Sequence, residues 1–219
     1  MLDTLLSLIA PHHCYHCQKT GEIICRDCKK YIMRQRFMGC VRCGPRCRRA
    51  QHQGLPYSSI HCLLRRRGAV KVLIDAYKFQ RARAVGEVLA DLFHELAPAL
   101  PGDAVIVPIP TAPRNVKRRG YDHMKRVARR FARQRHLPYS PLLVRRSNVT
   151  QHFAKTAEER RAQAGSFFTV GGEINPEATY VLLDDIYTTG STVEAAARTL
   201  REAGAETIWV IVLARQGTV

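Results

Sequence analysis

Two neighbouring carboxylates followed by a hydroxyl-rich turn form the most chemically suggestive run in this chain, Val181-Leu-Leu-Asp-Asp-Ile-Tyr-Thr-Thr-Gly-Ser-Thr192. An apolar segment ends in Asp184 and Asp185, and a loop of Thr, Gly and Ser then opens an Ala-rich stretch. Backbone N–H groups at a helix start favour a phosphate. Gly190 lets the backbone approach such a group closely, and Thr188, Thr189, Ser191 and Thr192 add hydroxyl donors. Asp184 and Asp185 can accept hydrogen bonds from vicinal hydroxyls of a sugar, directly or through Mg²⁺. An ordinary strand–helix turn with a capping Asp is the plain alternative. Adjacent acids before Thr-Thr-Gly-Ser-Thr are hard to obtain that way.

A second constellation is built from sulfur. Seven of the eight cysteines lie between Cys14 and Cys47. Cys14-Tyr-His-Cys17 and Cys25-Arg-Asp-Cys28 are two CxxC knuckles, the arrangement that completes a tetrahedral zinc site. Cys40-Val-Arg-Cys43 is a third knuckle, for which Cys47 and His52 are the candidate remaining ligands. The spacing leaves two pairings open: knuckles in chain order, or the first meeting the third. A dithiol redox role lacks the βαβ context it needs. Cys62 falls in a predicted strand and reads as a small core residue.

These groups need elements to hold them. Residues 1–56 show little apolar periodicity and read as an N-terminal helix and cysteine-rich module; residues 57–219 read as one α/β domain. Leu2, Leu5, Leu6, Leu8 and Ile9 suggest a short docking helix rather than a leader, because no basic stretch precedes them. Strands are expected at 58–64, 104–109, 180–183 and 207–213. Helices are expected at 70–79, 85–96, 192–203 and around Met124, Val127, Ala128 and Phe131, with Gly204 closing the last helix of the chain. Strand–loop–helix–strand units of this length imply a parallel sheet flanked by helices, with ligands at the carboxyl ends of the strands. Residues 145–166 are polar and read as a mobile loop with a short helix near 158–163.

Thirty-five Lys and Arg against 18 Asp and Glu give a formal charge of +17. Such an excess favours polyanions. Arginines cluster at 46–49, 65–67, 114–119, 125–135 and 145–146, and Tyr57, Tyr121, Tyr139 and Phe153 are candidate stacking residues for a single strand of nucleic acid. No run approaches the roughly 20 apolar residues of a membrane span. The expected compartment is the cytoplasm, where clustered cysteines suggest metal rather than disulfides.

The run from Val181 to Thr192 resembles the ribose-phosphate motif of type I phosphoribosyltransferases. The resemblance implies that Asp184 and Asp185 contact ribose hydroxyls and that Thr188, Thr189, Gly190, Ser191 and Thr192 grip a 5′-phosphate. Ser191 stands where many members have a second Gly. The order of an apolar start, Pro11, a cysteine cluster, Lys78-Phe79, Val107-Pro-Ile-Pro110, Arg118-Arg-Gly-Tyr-Asp-His123, Thr150-Gln151 and Arg160 is similar to the ComF family of competence proteins, relatives of amidophosphoribosyltransferases. Members usually read Arg-Gly-Phe-Asn-Gln where this chain has Arg119-Gly-Tyr-Asp-His123, and they often carry a fourth CxxC knuckle, here reduced to Cys47. The likeness implies a zinc module joined to a phosphoribosyltransferase-like domain that binds phosphoribosyl pyrophosphate with Mg²⁺. Thr111 to Arg114, with Arg118 and Arg119, would meet the pyrophosphate, and 145–161 would be a closing loop. It further implies a role in DNA uptake, with single-stranded DNA and a competence helicase as partners. A metabolic transferase with an unidentified acceptor and a non-catalytic phosphoribosyl pyrophosphate sensor are the alternatives.

Overall fold

The computed structural model describes residues 12–42, 54–80, 82–146 and 167–217. Its centre is a four-stranded, wholly parallel sheet in the order β1-β6-β5-β2, with β1 Ser59–Arg65, β2 Ala104–Pro108, β5 Thr179–Tyr187 and β6 Thr207–Arg215. Alternation along β5 explains why both faces are covered. Val181 and Leu183 point into one apolar layer, Tyr180 and Leu182 into the other, as successive residues of a strand must.

The first layer is made by α2 Gly68–Phe79, α3 Val85–Leu96 and α5 His123–Gln134. The expected stripe on α3, Val85, Leu89, Leu92, Phe93 and Leu96, is buried throughout. On α5 the stripe of Met124, Val127, Ala128 and Phe131 is buried too, and Asp122 caps that helix by accepting from the N–H of Met124 and Lys125. The second layer is α6 Ser191–Glu202 together with an antiparallel pair, β3 Leu143–Arg145 and β4 Phe168–Val170. Gly204, at φ +105°, follows the end of α6 as expected.

Two elements depart from the expectation. Thr111 to Arg114 is not a continuous loop: α4 begins at Pro113 and runs to Arg119, since Pro fits the first turn of a helix. The pair β3–β4 flanks the segment 145–166 that read as a loop, where no strands were expected. The expected loop over 145–166, with its short helix, falls outside the described residues apart from Arg145 and Arg146, and so does the helix expected near the start of the chain.

The cysteine module is joined to this body. Helix α1, Arg26–Met33, sends Ile32 into the first apolar layer. The following backbone runs antiparallel beside β1, with Phe37 N donating to Leu63 O at 3.0 Å and Arg65 N to Gln35 O at 2.9 Å. Residues 138–140 pair with β2 in parallel, through Ile106 N to Pro138 O at 2.8 Å and Ser140 N to Ile106 O at 3.0 Å.

Candidate functional site

The carboxyl ends of β2 and β5 open on one cleft, lined among others by Lys78, Thr111, Arg114, Arg119, His123, Arg145, Asp184, Asp185, Thr188 and Thr192. It encloses about 310 Å³, space for roughly ten waters.

The two acids have different surroundings. Asp185 is 5% exposed. Lys78 Nζ donates to its Oδ1 at 2.8 Å, and His123 Nε2 stands 2.7 Å from its Oδ2. Burial alone would raise this carboxyl, but Lys78 and His123 outweigh it and hold Asp185 well below the ordinary carboxylate range. Asp184 is only partly buried and accepts the backbone N–H of Asp185 at 2.9 Å. Desolvation and the neighbouring Asp185 charge push it up to about 7, against Lys78 and Arg145.

The turn after β5 is positioned by Tyr187 and Gly190. Gly190 sits at φ +88°, and a Cβ there would lie 2.3 Å from Tyr187 Oη. Both facts require glycine. Thr189 Oγ1 and Ser191 Oγ lie 3.1 Å apart, and both residues are exposed at the start of α6. Opposite this turn, Thr111 begins a chain of polar contacts. Its N–H and hydroxyl donate to Asp122 at 3.3 and 3.0 Å, and Oγ1 lies 2.7 Å from His123 Nδ1. Arg119, 7% exposed, places Nη1 3.0 Å from that nitrogen, while its Nε has no partner. Burial pulls this guanidinium below its ordinary value, against Asp185.

The structure thus brings Asp184, Asp185, Thr188, Thr192, Thr111, Arg114 and Arg119 into one cleft, with Thr189, Gly190 and Ser191 completing its turn. Arg118 instead lies over the Phe79 ring at 5.5 Å, with Nη2 3.5 Å from Asn115 Oδ1. Lys78, His123 and Arg145 were given no role by the sequence. His123 was visible only as the last residue of the Arg-Gly-Tyr-Asp-His run, and Arg145 as part of a basic cluster and the start of the implied closing loop.

In the cysteine module, Cys14, Cys17, Cys25 and Cys28 converge, with all four sulfurs within 4.8 Å of one another. The first two knuckles therefore pair in chain order, and the thiols fit a tetrahedral metal such as zinc. Burial opposes ionisation of Cys14, but the backbone N–H groups of Cys17, Cys25 and His16 outweigh it and bring the thiol down to about 6. Cys40 is not among these four; Cys43, Cys47 and His52 lie outside the described residues. Cys62 is half-buried, its sulfur 3.4 Å from Leu64 O, and burial pushes it up to about 12.

A second recess, between α3 and α5, is lined by Arg83, Arg126, Arg129, Arg130 and Arg133 around Tyr77 and Glu87. Arg130 is paired with Glu87 and Asp91, both at 3.4 Å. Arg83 and Arg126 lie over Tyr121 at 5.4 and 5.9 Å, and Arg129 over Tyr139 at 5.8 Å. Of the expected stacking residues, Tyr57 is buried, and Phe153 lies outside the described residues. No helix among the described residues is long and apolar enough to cross a membrane.

The phosphoribosyl transferase domain family matches residues 116–218, which include β5, the Thr188–Ser191 turn and α6. Competence protein F of Haemophilus influenzae is 27% identical over 92% of this chain and 96% of its own length. Competence protein ComFC of Bacillus subtilis is 26% identical over 91% and 75%. Among solved structures, an allosteric regulatory enzyme of purine biosynthesis superposes with a TM-score of 0.42 at 20% identity, over 60% of this chain. This chain spans a quarter of that enzyme's length, 25%. Adenine phosphoribosyltransferase from Leishmania tarentolae superposes with a TM-score of 0.36 at 15% identity, over 65% and 76%. The chain carries a phosphoribosyltransferase domain behind a four-cysteine module. Over most of its length it is similar to the competence proteins F and ComFC.

Proposed function

We propose that the cleft binds 5-phosphoribosyl-1-pyrophosphate and that the protein acts in DNA uptake, touching single-stranded DNA and a competence helicase. One observation carries the first part: Asp184 and Asp185 stand between two turns, 109–112 and 188–191, that can each receive a phosphate. The 5′-phosphate would meet the N–H groups and hydroxyls of Thr188 to Thr192 at the start of α6. Asp184, partly exposed, would accept from ribose hydroxyls, and Asp185 would hold Lys78 and His123 in place behind it. Arg114, Arg119 and Thr111 would face the pyrophosphate, a role that suits guanidinium donors.

Mg²⁺, if bound, would be held through Asp184 and the ligand's own oxygens and would supply charge neutralisation. In a transferase, the C1–pyrophosphate bond breaks as the acceptor bond forms. Arg114 and Arg119 would stabilise the charge gathering on the leaving group. The acceptor is a nitrogen nucleophile in the metabolic reading and is absent in the sensor reading. The extensive use of Asp185 by Lys78 and His123 favours a holding role for that residue in either case.

The test is titration calorimetry of phosphoribosyl pyrophosphate with magnesium on wild type and Asp184→Asn, a change that leaves the Lys78–Asp185–His123 contacts intact. Binding lost in the variant supports the site; no binding to wild type overturns it. Release of pyrophosphate across a panel of amine and base acceptors then separates transferase from sensor.

A further inference from the structure

The two ends of the cleft are joined by an unbroken chain of polar contacts. Thr111 Oγ1 stands 2.7 Å from His123 Nδ1, and His123 Nε2 stands 2.7 Å from Asp185 Oδ2. Lys78 closes the far end on the same carboxylate at 2.7 Å. Asp122, which fixes Thr111, is also the cap that fixes the start of α5 and so the backbone of His123. The ring has little freedom: His123 is 5% exposed, and the Tyr77 ring stands edge-on to it at 6.0 Å while Tyr77 Oη donates to His123 O at 3.1 Å.

The hydrogen bonds set the tautomer. A carboxylate only accepts, so Nε2 carries the proton given to Asp185; Arg119 only donates, so Nδ1 accepts from it. The Thr111 hydroxyl, which donates to Asp122 Oδ1, also stands within reach of the Nδ1 lone pair that Arg119 occupies. An anion seated on the 109–112 turn adds a further acceptor. That anion draws on the same hydroxyl and on Arg119, and relieving the Nδ1 lone pair of either donor changes how strongly the ring donates to Asp185, three residues before the other phosphate turn.

We propose that His123 is a positioning residue that couples occupancy of the 109–112 turn to the state of the Asp184–Asp185 pair, so that the halves of a bipartite ligand bind interdependently. The proposal rests on reading this cleft as a sugar-phosphate and pyrophosphate site. His123 need not touch the ligand. Its action runs through Thr111 on one side and Asp185 on the other.

The coupling is measured as a linkage. Ribose 5-phosphate is titrated with and without saturating magnesium pyrophosphate, and the ratio of its two dissociation constants is the coupling factor. Titrations are run on full-length wild type, His123→Gln, His123→Leu and Thr111→Val, each with its melting temperature. Gln can donate to Asp185 and accept from Arg119, whereas Leu can do neither. We expect the coupling factor of His123→Leu and Thr111→Val to differ from wild type at least about fivefold, the lower end of typical coupling between sites. His123→Gln should stay near wild type. Should His123→Leu not fold, Thr111→Val carries the comparison from the other end of the chain. Equal coupling factors in all four proteins overturn the proposal while leaving the cleft assignment standing. Failure of wild type to bind either ligand overturns the assignment and the proposal together.

Discussion

Asp184 and Asp185 are adjacent in sequence yet occupy opposite electrostatic states. Asp185 is clasped by Lys78 and His123, while Asp184 faces the cleft and carries the strain of a neighbouring negative charge. One acid is a fixed part of the scaffold and the other is available to a ligand.

That difference has a pH signature. The folded value of Asp184 is raised from 3.8 to about 7, so its stabilising contribution is full below pH 3.8 and is lost as pH rises through 7. Asp184→Asn should therefore gain on wild type as pH rises from 4 to 7, with a constant gap above. Urea unfolding at a series of pH values reads this directly. Ligand binding that uses ionised Asp184 should strengthen over the same interval and release protons below pH 7, seen by calorimetry in buffers of different ionisation heat.

Asp185→Asn should behave in the opposite way. Its folded value is depressed, so its contribution is present at neutral pH and lost only in strong acid. Removing it takes from Lys78, whose side chain is only 15% exposed, its direct ion pair and leaves it only the charge of Asp184 nearby. Breaking a buried pair of this kind costs about 3–5 kcal/mol. Equal urea midpoints for the two Asn variants at pH 7.5 would contradict this division of roles.

Gly190→Ala combines two faults, a left-handed backbone and overlap with Tyr187. The backbone term alone is about 1–2 kcal/mol. Adding Tyr187→Phe removes the Oη at 2.3 Å but leaves ring carbons at 2.7 and 3.0 Å, so rescue should be incomplete in both melting temperature and ligand affinity.

Replacing Cys14 or Cys28 by Ser should lower metal content by one ion per chain, measured by mass spectrometry of the native protein. These two are the buried members of the four-thiol cluster, and neither loss can be made good by an exposed neighbour. Unchanged metal content would remove this cluster as a metal site.

Single-stranded DNA affinity should fall steeply with salt, with a slope of about 0.7 per phosphate neutralised. Reversing Arg126, Arg129 and Arg133 to Glu should weaken binding and flatten that slope. Reversing Arg130, already paired with Glu87 and Asp91, should do less. Binding unaffected by the triple change would place any DNA contact elsewhere.

The strand, turn and helix around Asp184 were readable because their signals are local: an apolar run, two acids, a hydroxyl-rich turn. Helix α3 was readable from one stripe of apolar residues. Helix α4 was not, because it has no such stripe and its one buried residue is Arg119. The β3–β4 pair offers only three residues a side, Leu-Val-Arg against Phe-Thr-Val, too few to show alternation. The contact of His123 with Asp185 joins positions 62 residues apart. Only the fold brings them together, so no spacing rule could announce it.

The backbone that leaves the cysteine module does more than connect. By pairing residues 35–37 with β1 it seals one open margin of the sheet, as residues 138–140 seal the margin at β2. An unsealed strand margin is a template for recruiting other chains. Protein stripped of metal would then be prone to self-association through β1, and a chelator would register as turbidity before any loss of helix content.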